Sequence, residues 1–123
     1  MTLADGRRAA HQLLTLPSSP DGIFGAGDHA ALGVLQAAKL QGVIVPQQLA
    51  VAGFSNEGFT SLTEPQLTSV DQRCAEMGAA TVRLFLELAA APGQHFVQRQ
   101  VLLQPELCIR GSSFLTMQPS TVY

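Results

Sequence analysis

The chain has 123 residues, a net charge of −2, and 46% hydrophobic against only 13% charged residues. That length holds one core and excludes two independent ones. No apolar run is long enough to span a bilayer, so tight packing or another protein surface must cover the excess. The seven basic residues (Arg7, Arg8, Lys39, Arg73, Arg83, Arg99, Arg110) are scattered. Phosphate neutralisation needs them concentrated, which argues against DNA binding by this chain alone. The opening MTLADGRRAAHQ lacks the apolar core of a signal peptide, which points to the cytoplasm. Cys74 and Cys108 are too few for a disulfide framework and are expected to be reduced core thiols.

In chain order, Leu3–Leu16 patterns as an amphipathic helix with Asp5 as its cap, closed by Pro17-Ser18-Ser19-Pro20. A helix as first element of a parallel-sheet domain suggests a preceding strand, upstream or from another chain. From Pro20 to Phe54 the chain reads as one β-α-β unit. Ile23–Gly27 is an apolar run too short for a helix, and Asp28 stands at the expected N-cap. Good helix formers run from His29 to Gln41, and Gly42 offers a left-handed cap. Leu49–Phe54 (LAVAGF) is a second buried strand. Two such strands joined through a helix should lie parallel, with a right-handed crossover. Ligands meet sheets of this kind at the carboxyl ends of the strands, here Ala26-Gly27-Asp28 and Phe54-Ser55-Asn56-Glu57.

Asn56–Gln66 is an irregular loop carrying Phe59 and Leu62, followed by an extended run, Leu67–Gln72. Arg73–Ala91 is the longest helical pattern, with Cys74, Met77, Thr81, Leu84, Phe85 and Leu88 on one stripe. Val97–Leu103 and Glu106–Ile109 read as extended runs, and the tail from Ser112 has no period.

Reactive constellations are absent from the pattern. His11, His29 and His95 sit on separate elements without ligand spacing, so no metal is expected. Gly22, Gly25 and Gly27 are in the wrong order for a dinucleotide fingerprint, and no Walker lysine follows, so no cofactor is expected either. Asp28 as a general base competes with its capping role. Asp71 and Glu76 suit a helix start, and Ser55 lacks the glycine-flanked elbow of a nucleophile. A small α/β enzyme using Asp28 and Ser55 is therefore disfavoured.

Four stretches, PDGIFGAGDHAALGVLQAAKLQGVIVPQQLAVAGFSN, TEPQLTSVDQ, EMGAATVRLFLEL and VLLQPELCIRGSS, arrive in the order and spacing of one family. Together they resemble the C-terminal part of lactose-repressor/galactose-repressor (LacI/GalR) regulators. The resemblance implies an α/β fold: the parallel-sheet C-terminal lobe of a type I periplasmic-binding-protein-like domain, incomplete, with a helix belonging to a missing N-terminal lobe. It implies a partial effector-binding and dimerisation domain over residues 1–113. Residues 1–71 would form the C-terminal lobe, 72–96 the crossover with its helix, 97–113 the return strands and 114–123 a flexible tail. The implied function is ligand sensing and homodimerisation in a transcription regulator without catalytic activity. DNA would be contacted only through an absent helix-turn-helix, and membranes not at all.

Phe24 falls where some members set an aromatic ring against the effector, a sugar or related metabolite. Gly27-Asp28 stands where members commonly have Asn-Asp, and Ser55 where they commonly have Asp. Both departures remove sugar contacts that Asn56 and Glu57 would have to replace. Leu32, its helix neighbour Leu35, Phe59 and Leu62 match the dimer-interface region. A fragment of a periplasmic sugar-binding protein of a transport system shares the fold and is the alternative.

Overall fold

A computed structural model describes residues 1–90, 93 and 99–114. Helix α1 (Leu3–Leu14) starts from a capping box: Thr2 accepts the Asp5 amide at 3.2 Å, and the Asp5 carboxylate accepts the Thr2 amide at 3.0 Å. Asp5 is thus the reciprocal partner, not the cap itself, and the helix stops two residues before Leu16. Strand β1 is Gly22–Phe24, helix α2 Asp28–Leu40 and strand β2 Ala50–Phe54. Gly42, at φ +70°, closes α2: the Val43 amide reaches Ala38 O at 2.9 Å and the Gly42 amide reaches Lys39 O at 3.3 Å. A 3₁₀ turn at Gly58–Ser61 leads to β3 (Thr68–Asp71), then α3 (Cys74–Ala89) and β4 (Glu106–Cys108).

The strand order is β1-β2-β3-β4, with β1, β2 and β3 parallel and β4 antiparallel to β3. The expected β-α-β unit is therefore present, its second crossover running through the 3₁₀ loop. Helix α2 covers one face of the sheet. Ala31, Val34, Leu35 and Ala38 pack with Leu49, Val51 and Leu67, and Ala10 of α1 closes the cluster. The helices α1 and α2 touch through small residues. A Cβ on Gly33 would lie 2.7 Å from the Arg7 amide nitrogen, so only glycine admits the backbone of α1 there. At the amino ends of β2 and β3, buried Ser112 fastens the last described segment. Its hydroxyl donates to Val51 O at 2.6 Å and accepts the Thr68 amide at 2.8 Å.

Three expectations need correction. Cys74 is exposed and Cys108 half-buried, so neither is a core thiol. The physical reason for Cys74 is that α3, although amphipathic, has no buried residue among the described ones. Residues 99–103 form no strand, whereas 97–98 of the expected Val97–Leu103 run lie outside the described residues, as do His95 and the tail beyond Phe114. Finally, Leu35 is only 8% exposed and sits in the core, which leaves it no surface for a partner chain.

Candidate ligand-binding site

The carboxyl ends of β1, β2 and β3 lie along one rim because the strands are parallel and paired in register, Phe24 with Ala52 and Phe54 with Val70. Asp28 builds that rim. Gly27, not Asp28, is the N-cap of α2, and it makes no side-chain cap. Asp28 is the first helical residue and is 1% exposed. Its Oδ2 accepts the Glu57 amide at 2.8 Å, and its Oδ1 accepts the Ser69 hydroxyl at 2.6 Å. Its partners lie 29 and 41 residues away, so the carboxylate joins distant elements instead of capping its own helix. Its position in the first turn still favours a negative charge.

Ser55 and Asn56 both have positive φ, +119° and +51°. The Asn56 amide donates to Ser69 Oγ at 3.0 Å. Its side chain donates to Asp71 Oδ2 at 3.1 Å and accepts from Arg110 Nη2 at 2.8 Å. Asp71 Oδ1 takes the Arg73 amide at 2.7 Å. The Arg73 amide, then the Asn56 carboxamide and the Arg73 charge, hold the Asp71 carboxyl below its ordinary range, against a smaller desolvation effect. The Gln72 amide donates to Ser55 Oγ at 3.1 Å.

Of the six candidate ligand residues, five converge here through the backbone or side chains: Gly27, Asp28, Ser55, Asn56 and Glu57. Phe24 ends β1 on the sheet face away from α2 and is 60% exposed. The Asp28 carboxylate is buried and occupied, and the Asn56 carboxamide is engaged at both ends. What the rim offers a ligand is the Ser55 hydroxyl, the Gln72 amide, the exposed Glu57 carboxylate and the open space beside Gly27. Sequence reasoning missed Ser69, Gln72 and Arg110. Ser69 carried only the weak signal of a hydroxyl within an extended run, which it shares with Thr68.

Phe59 stacks edge-on against His29 at 4.9 Å. Leu32, on the same helix as His29, is half-buried, and Leu62, three residues after Phe59, is 83% exposed. A groove of about 420 Å³ between α1 and α2, lined by Arg7, Arg8, His11, Leu40 and Gln41, lies at the other end of α2, away from the strand ends. Among the described residues no cluster of metal-ligating side chains occurs and no helix is long and apolar enough to cross a membrane.

Residues 2–113 match the model of the periplasmic binding protein-like domain. The chain is 39% identical over 112 residues to the HTH-type transcriptional repressor CytR of Escherichia coli, covering 91% of this chain and 32% of that protein. It thus spans about a third of the length of the curated relatives it matches. A transcriptional regulator of the LacI family from Sanguibacter keddieii superposes with a TM-score of 0.84 at 28% identity, covering 90% of this chain and 41% of the other. A LacI-family regulator from Lactobacillus casei with bound sucrose superposes with a TM-score of 0.78 at 30% identity, covering 92% and 41%. The chain belongs to the periplasmic binding protein-like domain family, in the branch found in LacI-type transcription regulators.

Proposed function

We propose that this chain is the ligand-sensing and dimerisation portion of a cytoplasmic DNA-binding transcription regulator and has no catalytic role. One observation carries the reading. Asp28 locks the tips of β1–α2 and β2 together on a single rim, where Ser55, Gln72 and Glu57 stand available and Phe24 is exposed nearby. The ligand is a small effector, a sugar or related metabolite; the Lactobacillus casei relative binds sucrose in one structure and glucose in another. Ser55 and Gln72 act as neutral hydrogen-bonding groups, Glu57 as an acceptor and Phe24 as an apolar wall. Asp28 shapes the rim without touching the ligand.

Residues 1–71 form one wall of the cleft, and α3 belongs to the facing lobe. The absence of buried residues on α3 supports that assignment. An effector that closes the two walls shifts the population of the closed state and so the geometry of the DNA-reading parts. Leu32, Phe59 and Leu62 supply the homodimer contact. The regulator relatives favour this reading over a transport component.

Two measurements test it. Addition of glucose or sucrose should perturb the backbone resonances of Gly27, Ser55 and Gln72 first. Perturbations confined to the α1–α2 groove would overturn the site. In sedimentation velocity the protein should run as a dimer, and Leu62→Asp should convert it to a monomer with unchanged unfolding. A wild-type monomer would remove the dimerisation role.

A further inference from the structure

The site leaves Asn56 to be explained. It has a positive φ of 51°, which asparagine tolerates better than most residues, and it lies two residues past the end of β2 at the rim. Its carboxamide has no free end. The oxygen accepts from Arg110, 54 residues away, and the nitrogen donates to Asp71, 15 residues away. Asp71 lies where the chain leaves the sheet, and it holds the amide of Arg73, whose left-handed turn starts α3. Arg110 lies where the chain has come back, just after β4, and grips Leu67 O at 2.8 Å and Thr60 Oγ1 at 3.2 Å. One short side chain therefore spans the departing and the returning strand. A carboxamide suits this bridge because its nitrogen donates at one end while its oxygen accepts at the other. A carboxylate would satisfy Arg110 and repel Asp71, whereas leucine would satisfy neither.

We propose that Asn56 is a positioning residue, not a ligand contact, and that it couples the rim loop to the chain's exit at Asp71–Arg73 and to its return at Cys108–Arg110. A ligand that moves the loop then moves both connections together. The coupling rests on the effector-site reading only for what displaces the loop, and it is measurable with no ligand present.

Amide hydrogen exchange by NMR tests it on the wild type, Asn56→Gly and Asn56→Asp. Glycine keeps the positive φ accessible and removes only the side chain. The Arg73 and Arg110 amides, bonded to Asp71 Oδ1 and Thr68 Oγ1, should exchange about tenfold faster in Asn56→Gly, with Ala31 and Ala38 in α2 unchanged. Asn56→Asp should accelerate Arg73 alone and raise the titration midpoint of the Asp71 carboxyl, because it retains the Arg110 acceptor. Unchanged Arg73 and Arg110 rates in Asn56→Gly would overturn the coupling. So would a uniform acceleration of all amides in both variants, which marks plain destabilisation. Failure of glucose and sucrose to bind would remove the effector reading and leave this result standing.

Discussion

Asp28→Ala tests the joint on which the rim depends. The substitution removes a buried carboxylate that accepts two hydrogen bonds, from the Glu57 amide at 2.8 Å and the Ser69 hydroxyl at 2.6 Å. A buried donor left unmade costs about 1–3 kcal/mol. The two donors are not equivalent. Glu57 is exposed, so water can reach its amide, whereas Ser69 is fully buried and its hydroxyl is stranded. Loss of the negative charge in the first turn of α2 removes a further ~0.3–1 kcal/mol. Against these stands the cost of holding a carboxylate out of water, which the substitution relieves. The net expected loss is about 2 kcal/mol in urea unfolding. Asp28→Asn keeps an oxygen for the Glu57 amide and can donate to Ser69 Oγ, so about half of that loss is expected. Equal stability of wild type and Asp28→Ala would show that the carboxylate does not hold the three elements together. Identical losses in the Asn and Ala variants would show that packing volume, not hydrogen bonding, is what Asp28 contributes.

Two further substitutions test packing and charge. Gly33→Ala places a methyl 2.7 Å from the Arg7 amide nitrogen and should lose about 1–3 kcal/mol in urea unfolding, whereas Gly78→Ala on α3 meets nothing within 4 Å and should lose none. Equal effects would contradict the tight α1–α2 contact. The Asp71 carboxyl is held below its ordinary value of 3.8, chiefly by the Arg73 amide. Its folded value being lower than its unfolded one, the contribution is present above the unfolded value and lost as pH falls through the folded one. The stability difference between wild type and Asp71→Asn should therefore be constant well above pH 3.8 and close below it. A gap independent of acid would contradict the Asn56–Asp71–Arg73 arrangement.

What the sequence discloses here depends on how far apart the interacting residues lie. The β-α-β unit is legible because its signals are local: the Pro20-Asp21-Gly22 turn, the helix formers after Asp28, and Gly42 at the cap. The same locality made Asp28 look like a cap, since a one-residue difference between N-cap and first turn leaves no mark in composition. Leu32 and Leu35 are neighbours on one helix, yet the first is half-buried and the second belongs to the core. Periodicity fixes a stripe, but not which edge of it faces the sheet. For α3 the periodicity shows an apolar stripe, but not that none of its residues is buried among the described residues. Arg110 carried no signal at all, because its partners at Asn56 and Thr60 meet it only after the sheet has formed.

The apolar excess of the composition has a physical location. The largest fully buried side chains are Leu49, Leu67 and Val51, so the core itself is modest. Parallel strands are normally covered on both faces, and α2 covers only the face carrying Ile23, Val51 and Gly53. On the opposite face the register aligns Phe24 with Ala52, and Phe54 with Val70 and Leu107; Phe24 and Leu107 are 60% and 57% exposed. Helix α3 adds Val82, Phe85 and Leu86, each more than half exposed. These surfaces account for the hydrophobic content that the core does not use. The arrangement also explains Gly53, otherwise a poor choice inside a strand. A Cβ there would run into Asp28 Oδ1, so glycine is what lets the first turn of α2 descend onto β2 and bring the Asp28 carboxylate to the Glu57 amide. The rim thus depends on a missing methyl as much as on a carboxylate.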